Sequence, residues 1–232
     1  MRHPLGEKVR FGGIQGTSLI DFPDRVATVL FTVGCNLCCP YCHNWRLVIN
    51  REGPCLSGND AIQFLESRKR FVDSVVITGG EPTIQEDLPS FIRELDKRGF
   101  KTKLDTNGFY PDILEKCLPS LDYVALDVKT SPERYRFLGA SDIKGLQHSI
   151  ILLKRGDVDY EFRNTTVPTY VDDQSVMEMG ELVRGARRFI FQQFVPGDTL
   201  DKTLDLKPCS PKVISHFVDI MTQYVVDVKI RG

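Results

Sequence analysis

Short β-branched apolar runs alternate with longer amphipathic stretches along almost all of this chain, and that alternation limits its fold more than any other feature. It is the pattern of repeated βα units. Strands are predicted over 26–33, 74–78, 102–105, 123–128, 161–167 and 189–194, with a last one over 225–230. Helices are predicted over 58–70, 86–98, 111–117, 143–154, 175–184 and 211–223. In the second of these, Leu88, Phe91, Ile92 and Leu95 make an i, i+3, i+4, i+7 stripe that would lie on a sheet, and Gly99 is placed to cap it. Six βα cycles predict the α/β class with a parallel sheet. A closed eight-unit barrel takes about 250 residues, so the 232 residues here predict an incomplete (βα)6 barrel. A doubly wound open sheet is the alternative, and periodicity alone does not separate the two.

At or just after each predicted strand comes a polar or glycine-containing segment: 34–44, 79–82, 105–108, 127–129, 163–168 and 192–197. In parallel α/β folds the carboxyl ends of the strands share one face, and sites are built there. These six segments are therefore predicted to converge on one pocket. The 30 basic and 31 acidic side chains give a net charge of −1, which leaves no electrostatic footprint for nucleic acid. No apolar run is long enough to span a bilayer, and residues 1–8 contain no apolar stretch of a secretory leader. No linker or low-complexity tract divides the chain.

Four of the seven cysteines, Cys35, Cys38, Cys39 and Cys42, fall within eight residues. An odd number, tightly clustered, makes a poor disulfide framework; it predicts a cytoplasmic protein whose cluster holds metal. The loop parses in two ways. Cys35, Cys39 and Cys42 form Cys-x3-Cys-x2-Cys, three thiolates that would leave one iron of a four-iron cluster open. Alternatively Cys35/Cys38 and Cys39/Cys42 are abutting Cys-x2-Cys pairs, giving four thiolates or a mixed site with His43. Structural zinc usually draws ligands from two knuckles separated in sequence, and no second knuckle occurs here, so a cluster is favoured over zinc. Cys55, Cys117 and Cys209 are isolated and read as small apolar residues or inert thiols.

A second signal is Thr78-Gly79-Gly80-Glu81-Pro82 at a strand end. Adjacent glycines let a ligand approach the backbone, and the carboxylate and exposed carbonyls can take an ammonium group. Alone the motif is ordinary turn chemistry; one βα unit downstream of the cysteine loop it becomes specific.

With these two motifs the sequence resembles the radical S-adenosylmethionine (SAM) superfamily, within the glycyl-radical-enzyme activating group. It is most similar to activating proteins of anaerobic ribonucleoside-triphosphate reductase and then to pyruvate formate-lyase activators. The resembling stretches are 16–23 (Gly-Thr-Ser-Leu-Ile-Asp-Phe-Pro), 31–44, 79–83, 105–108, 123–129 and 160–163, within about 12–196. The resemblance implies a single radical SAM domain over 1–232, with a C-terminal helix and strand over about 211–230. It further implies one [4Fe–4S] cluster on Cys35, Cys39 and Cys42, with SAM on the fourth iron. Tyr41 would lie near the adenine, and Gly79, Gly80 and Glu81 would hold the methionyl amino group. Asp105, Thr106, Asn107, Asp127 and Lys129 would line the SAM pocket, with Arg163 a further contact; the Asp pair is also a candidate seat for a monovalent cation. No catalytic side chain is implied beyond cluster and SAM. The implied chemistry is reductive cleavage of SAM to methionine and a 5′-deoxyadenosyl radical, which takes a hydrogen from a glycine of a partner enzyme. The protein supplies orientation and exclusion of water. A flavodoxin or ferredoxin would be the electron donor; neither nucleic acid nor membrane is implied.

Some residues depart from the pattern. Cys38 stands where a non-cysteine is common and is read as a bystander. Asp24 stands where glycine is frequent, and Gln192 and Gln193 replace a histidine that pyruvate formate-lyase activators carry. His43 is read as a neighbour of the cluster; His3, His148 and His216 as surface or packing residues. The basic stretches 97–103 and 184–188 are read as solvated surface. Two other functions fit the sequence. One is radical chemistry on a small molecule, as in 7-deazapurine or cofactor synthesis; the other is a non-catalytic metal-binding module.

Overall fold

The computed structural model describes residues 8–49 and 53–232; residues 1–7, among them His3 and most of the stretch read for a leader, lie outside them. One nine-stranded sheet organises these residues. Its strands are β1 (Arg10–Phe22), β2 (Arg25–Thr32), β3 (Leu56–Ser57), β4 (Ser74–Gly79), β5 (Lys101–Thr106), β6 (Tyr123–Asp127), β7 (Asp159–Thr166), β8 (Arg188–Gln193) and β9 (Asp227–Arg231). The helices between them are α1 (Trp45–Ile49), α2 (Gly58–Arg68), α3 (Leu88–Lys97), α4 (Pro111–Cys117), α5 (Lys144–Lys154), α6 (Asp173–Val183) and α7 (Pro211–Met221). Strand order is β3-β1-β2-β4-β5-β6-β7-β8-β9.

From β2 to β9 every neighbouring pair is parallel and follows chain order. A doubly wound sheet reverses its order at a switch point. This one does not, so right-handed crossovers leave all helices on one face. The architecture is a partial barrel: an outer helical layer, a curved sheet and an inner face. Outward residues such as Leu30, Ile77, Leu104, Leu126, Phe162 and Phe191 join the main core with Leu65, Phe91, Leu95, Leu153, Met179 and Phe217. Each fully buried side chain of this size contributes about 1.5–3 kcal/mol. The stripe Leu88, Phe91, Ile92 and Leu95 is wholly buried, and Gly99 follows at φ +76°. Helix starts are fixed locally. Ser57 and Asp60 form a capping box on α2, Asp172 caps α6, and Ser210 caps α7 ahead of Pro211.

The sheet departs from the all-parallel expectation at one edge. β1, which the periodicity missed, pairs antiparallel with β2, and β3 pairs antiparallel with the start of β1. Gly12, Gly13 and Gly16 lower the strand signal of β1. Phe22 pairs with Arg25 across a two-residue turn in which Asp24 has φ +58°. That is the left-handed region, which glycine enters freely and aspartate tolerates. The short α1 was also not predicted. Among the described residues, no helix is long and apolar enough to cross a membrane.

Candidate functional site

The cysteine loop, residues 34–44, leaves the C-terminal end of β2, and backbone bonds hold it against the end of β4. Gly80 N donates to Thr32 O (2.9 Å), Glu81 N to Gly34 O (2.8 Å), and Asn44 Nδ2 to Gly79 O (3.0 Å). A Cβ on Gly80 would sit 1.9 Å from Gly34 O; one on Gly79, at φ +114°, would sit 2.4 Å from Thr32 N. The two glycines are therefore needed for the cysteine loop's own backbone to pack this closely, in addition to any ligand.

A cavity of about 210 Å³ opens where the strand ends meet. Every residue that the sequence singled out for a ligand lines it: Cys35, Cys39, Cys42, Tyr41, Gly79, Gly80, Glu81, Asp105, Thr106, Asn107, Asp127, Lys129 and Arg163. Cys38 does not. It is exposed, and its backbone N–H donates to Leu138 O. Sequence reasoning missed Val48 on the cavity wall and gave no individual ligand role to Leu37, Asn44, Thr78 and Thr165, which lie in the segments and motif it singled out. His43 is also on the wall, its ring stacked on Phe194 at 5.5 Å. Gln192 and Gln193 are not; Gln193 turns to Cys209 O (2.8 Å). Cys117 and Cys209 are buried, while Cys55 is exposed with its sulfur 3.0 Å from Arg10 Nε. His148 is exposed, and exposed His216 pairs with Asp173.

Burial pushes the Cys35 thiol up to about 12 and Cys39 to about 11, and raises Cys42. With no metal these sulfurs stay protonated at neutral pH; iron would supply the positive charge that makes them thiolates. Leu37 N and Asn107 Nδ2 point at Cys35 Sγ (3.4 and 3.8 Å), donors of the kind that tune cluster sulfurs. The Tyr41 hydroxyl is buried and has no hydrogen-bond partner among the described residues, and Tyr41 sits on the cavity wall. An orphaned buried hydroxyl costs about 1–3 kcal/mol, and a ligand in the cavity would relieve it. On these observations the residues fit a cluster with a ligand beside it.

Glu81 is fully buried and stitches two strand ends together. Its Oε1 accepts from Thr83 N (3.0 Å), the Thr83 hydroxyl and Thr106 Oγ1 (2.6 Å); Oε2 accepts from Asn107 N (2.6 Å). Burial raises its pKa against those hydrogen bonds. Asn107 in turn holds the cysteine loop through Asn36 Oδ1 (2.8 Å).

Beside these lies a ladder of alternating charge. Lys103 Nζ meets Asp105 Oδ1 at 2.6 Å, and Arg163 meets Asp105 Oδ2 at 3.3 Å. Arg163 Nε then meets Asp127 Oδ1 at 2.7 Å, and Lys129 Nζ meets Asp127 Oδ2 at 3.0 Å. Although burial opposes it, Arg163 and Lys129 hold Asp127 far below the usual carboxylate range; Asp127 in turn raises both cations. Lys103, assigned to solvated surface by its neighbours in sequence, is 1% exposed. All four carboxylate oxygens are thus occupied by side-chain cations. The monovalent cation that the resemblance implied for the Asp pair would have to share each of those oxygens with one of these charges.

Comparison with known proteins bears on this geometry. Residues 29–184 match the radical SAM superfamily. A Methanocaldococcus jannaschii protein assigned provisionally as a glycyl-radical enzyme activating enzyme is 34% identical over 97% of this chain and 96% of its own length. The pyruvate formate-lyase-activating enzyme of Clostridium pasteurianum is 26% identical over 82% of this chain and 83% of its own. The crystal structure of Streptococcus suis SuiB bound to S-adenosylmethionine superposes with a TM-score of 0.66 over 86% of this chain and 48% of that one, at 17% identity. That last likeness is one of fold.

Proposed function

This chain belongs to the radical SAM superfamily and, within it, to the glycyl-radical-enzyme activating group, and from that premise we propose that it installs a glycyl radical on anaerobic ribonucleoside-triphosphate reductase. The family implies SAM and an iron–sulfur cluster. Cys35, Cys39 and Cys42 would hold a single [4Fe–4S] cluster, with Cys38 outside it. When bound, cluster and SAM supply a one-electron reductive cleavage: SAM gives methionine and 5′-deoxyadenosine, and one hydrogen atom leaves a glycine α-carbon of the partner. A flavodoxin or ferredoxin in the cytoplasm would deliver the electron.

The supporting observation is convergence. Thirteen residues from separate strand ends line one cavity, and the fourth clustered cysteine is exposed and does not line it. The chain's own residues bind and orient. Arg163 and Lys129 bring two cations to the cavity wall, suited to the carboxylate of a methionyl group. The Gly79–Glu81 turn offers backbone carbonyls to the amino group. Tyr41, pressed against Tyr170 at 5.3 Å, offers its unpartnered hydroxyl to the adenine. Buried Leu37 and Val48 help to keep water from the cavity. Because α7 and β9 extend the same core and sheet, 1–232 would act as one domain.

The test is electron paramagnetic resonance after anaerobic incubation of the reconstituted, reduced protein and SAM with anaerobic ribonucleoside-triphosphate reductase. A glycyl doublet on the reductase is expected. A doublet on pyruvate formate-lyase alone would move the partner, and none on either would sink protein activation.

A further inference from the structure

Lys103 is the one member of the charge ladder that does not line the cavity. Its side chain lies inside the barrel wall, 1% exposed, and ends 2.6 Å from Asp105 Oδ1. Strand alternation puts it there: Lys103 and Asp105 are two apart on β5, so both point to the inner face. A lysine ammonium buried so completely is rare unless paired. Here the pair is also the end of the ladder that runs through Arg163 to Asp127 and Lys129. Resting on the SAM-binding function proposed above, we infer that the Lys103 ammonium is a built-in monovalent cation. It takes at Asp105 Oδ1 the place that Na+ or K+ would take at that carboxylate, while Arg163 bridges the two aspartates, and it frees SAM binding from any dependence on those ions.

Three observations converge. First, each oxygen of Asp105 and Asp127 already touches a side-chain cation, so a free ion would have to share every one of them with an existing positive charge. Second, the ladder already carries one positive charge more than negative, so a further cation meets net repulsion at short range. Third, the charge is delivered on a tether from the strand itself, which removes the entropic cost of recruiting an ion from solution. An ammonium matches K+ in charge and approximately in size, and it donates three hydrogen bonds where the metal ion would accept lone pairs. A lysine that merely braced the strand would share the burial but would leave no cation seat behind when removed.

Two measurements on the anaerobically reconstituted enzyme test this. Crystals of the wild type and of Lys103→Met are equilibrated in rubidium chloride, and anomalous scattering is collected at the rubidium edge. The wild type should show no rubidium at the Asp105 and Asp127 carboxylates; Lys103→Met, which keeps chain length and loses the charge, should show one. In parallel, SAM affinity is measured by anaerobic calorimetry in potassium and in tetramethylammonium chloride at equal ionic strength. Wild-type affinity should agree within about twofold between the salts, while Lys103→Met should bind SAM about tenfold or more tightly in potassium. Rubidium at the wild-type carboxylates, or a wild-type affinity that falls about tenfold in tetramethylammonium, overturns the inference. So does a folded Lys103→Met with an empty seat. Should Lys103→Met not fold, the two wild-type measurements still decide. Failure to bind SAM in either salt is a different result: it overturns the SAM-binding function, while the rubidium maps still report on the seat.

Discussion

Two charge networks meet on β7, two residues apart, and they serve different ends. The upper one passes through Arg163 and lines the cavity with Asp105, Asp127 and Lys129. The lower one centres on Glu161, whose oxygens accept from Arg231 at 2.8 and 2.9 Å and from the Tyr123 hydroxyl at 3.1 Å. Arg188 extends it, reaching Tyr123 at 3.3 Å and Asp227 at 3.1 Å. No member of the lower network lines the cavity; two of them, Asp227 and Arg231, belong to β9. The lower network fastens the last strand to the barrel, and the upper one presents Arg163 and Lys129 to a ligand. Similar chemistry on one strand is thus divided by height along the barrel: nearest the carboxyl ends it binds, and one pleat below it braces.

That division can be broken by exchanging the effects. Arg163→Met should be the most damaging single change in either network. It strips a partner from both aspartates, costs about 3–5 kcal/mol as expected for a broken buried pair, and lowers SAM affinity about tenfold or more. Arg231→Ala should cost about 1–3 kcal/mol, because it takes the half-exposed cation from the buried Glu161 and leaves it the Tyr123 hydroxyl, yet leave SAM affinity within about twofold. Urea unfolding and anaerobic calorimetry on both variants check this. Equal losses of SAM affinity would erase the distinction between binding and bracing.

Smaller effects sharpen it. The Arg188–Asp227 pair is more than a third exposed on both sides, so Asp227→Asn should cost less than about 1 kcal/mol in the same urea assay. The smallest effect is a null one with pH. Asp127 is held below its unfolded value of about 3.9, so its contribution to stability is complete above that value and is lost only as pH falls through the depressed folded value. Its carboxyl 13C shift should therefore not move between pH 7 and 4. A titration midpoint inside that range would mean that Arg163 and Lys129 do not hold it as described.

Much of the site could be read from the sequence because its residues cluster at strand ends, where a parallel α/β sheet collects its chemistry. Cys35, Cys39 and Cys42 meet Gly79 and Asp105 in one cavity for that reason. Helix stripes such as Leu88–Leu95 were legible because one face is apolar and the other solvated. The inner sheet face defeated the same logic. Lys101, Lys103 and Asp105 alternate with Thr102 and Leu104 as a solvent-facing strand would, yet the polar side faces a charged barrel interior and not only water. Periodicity reports that two faces differ; it does not report what covers the polar one. β1 was hidden differently, by glycines that weaken the strand signal and by antiparallel pairing outside the βα repeat.

The central assignment is that three of the four clustered thiols serve the cavity chemistry and the fourth does not. Wild type, Cys38→Ala and Cys39→Ala, reconstituted anaerobically with iron and sulfide, can be given dithionite and SAM and assayed for 5′-deoxyadenosine by chromatography. Wild type and Cys38→Ala should both form it, and Cys39→Ala should form none. No product from the wild type, or product from Cys39→Ala at the wild-type rate, would contradict the assignment.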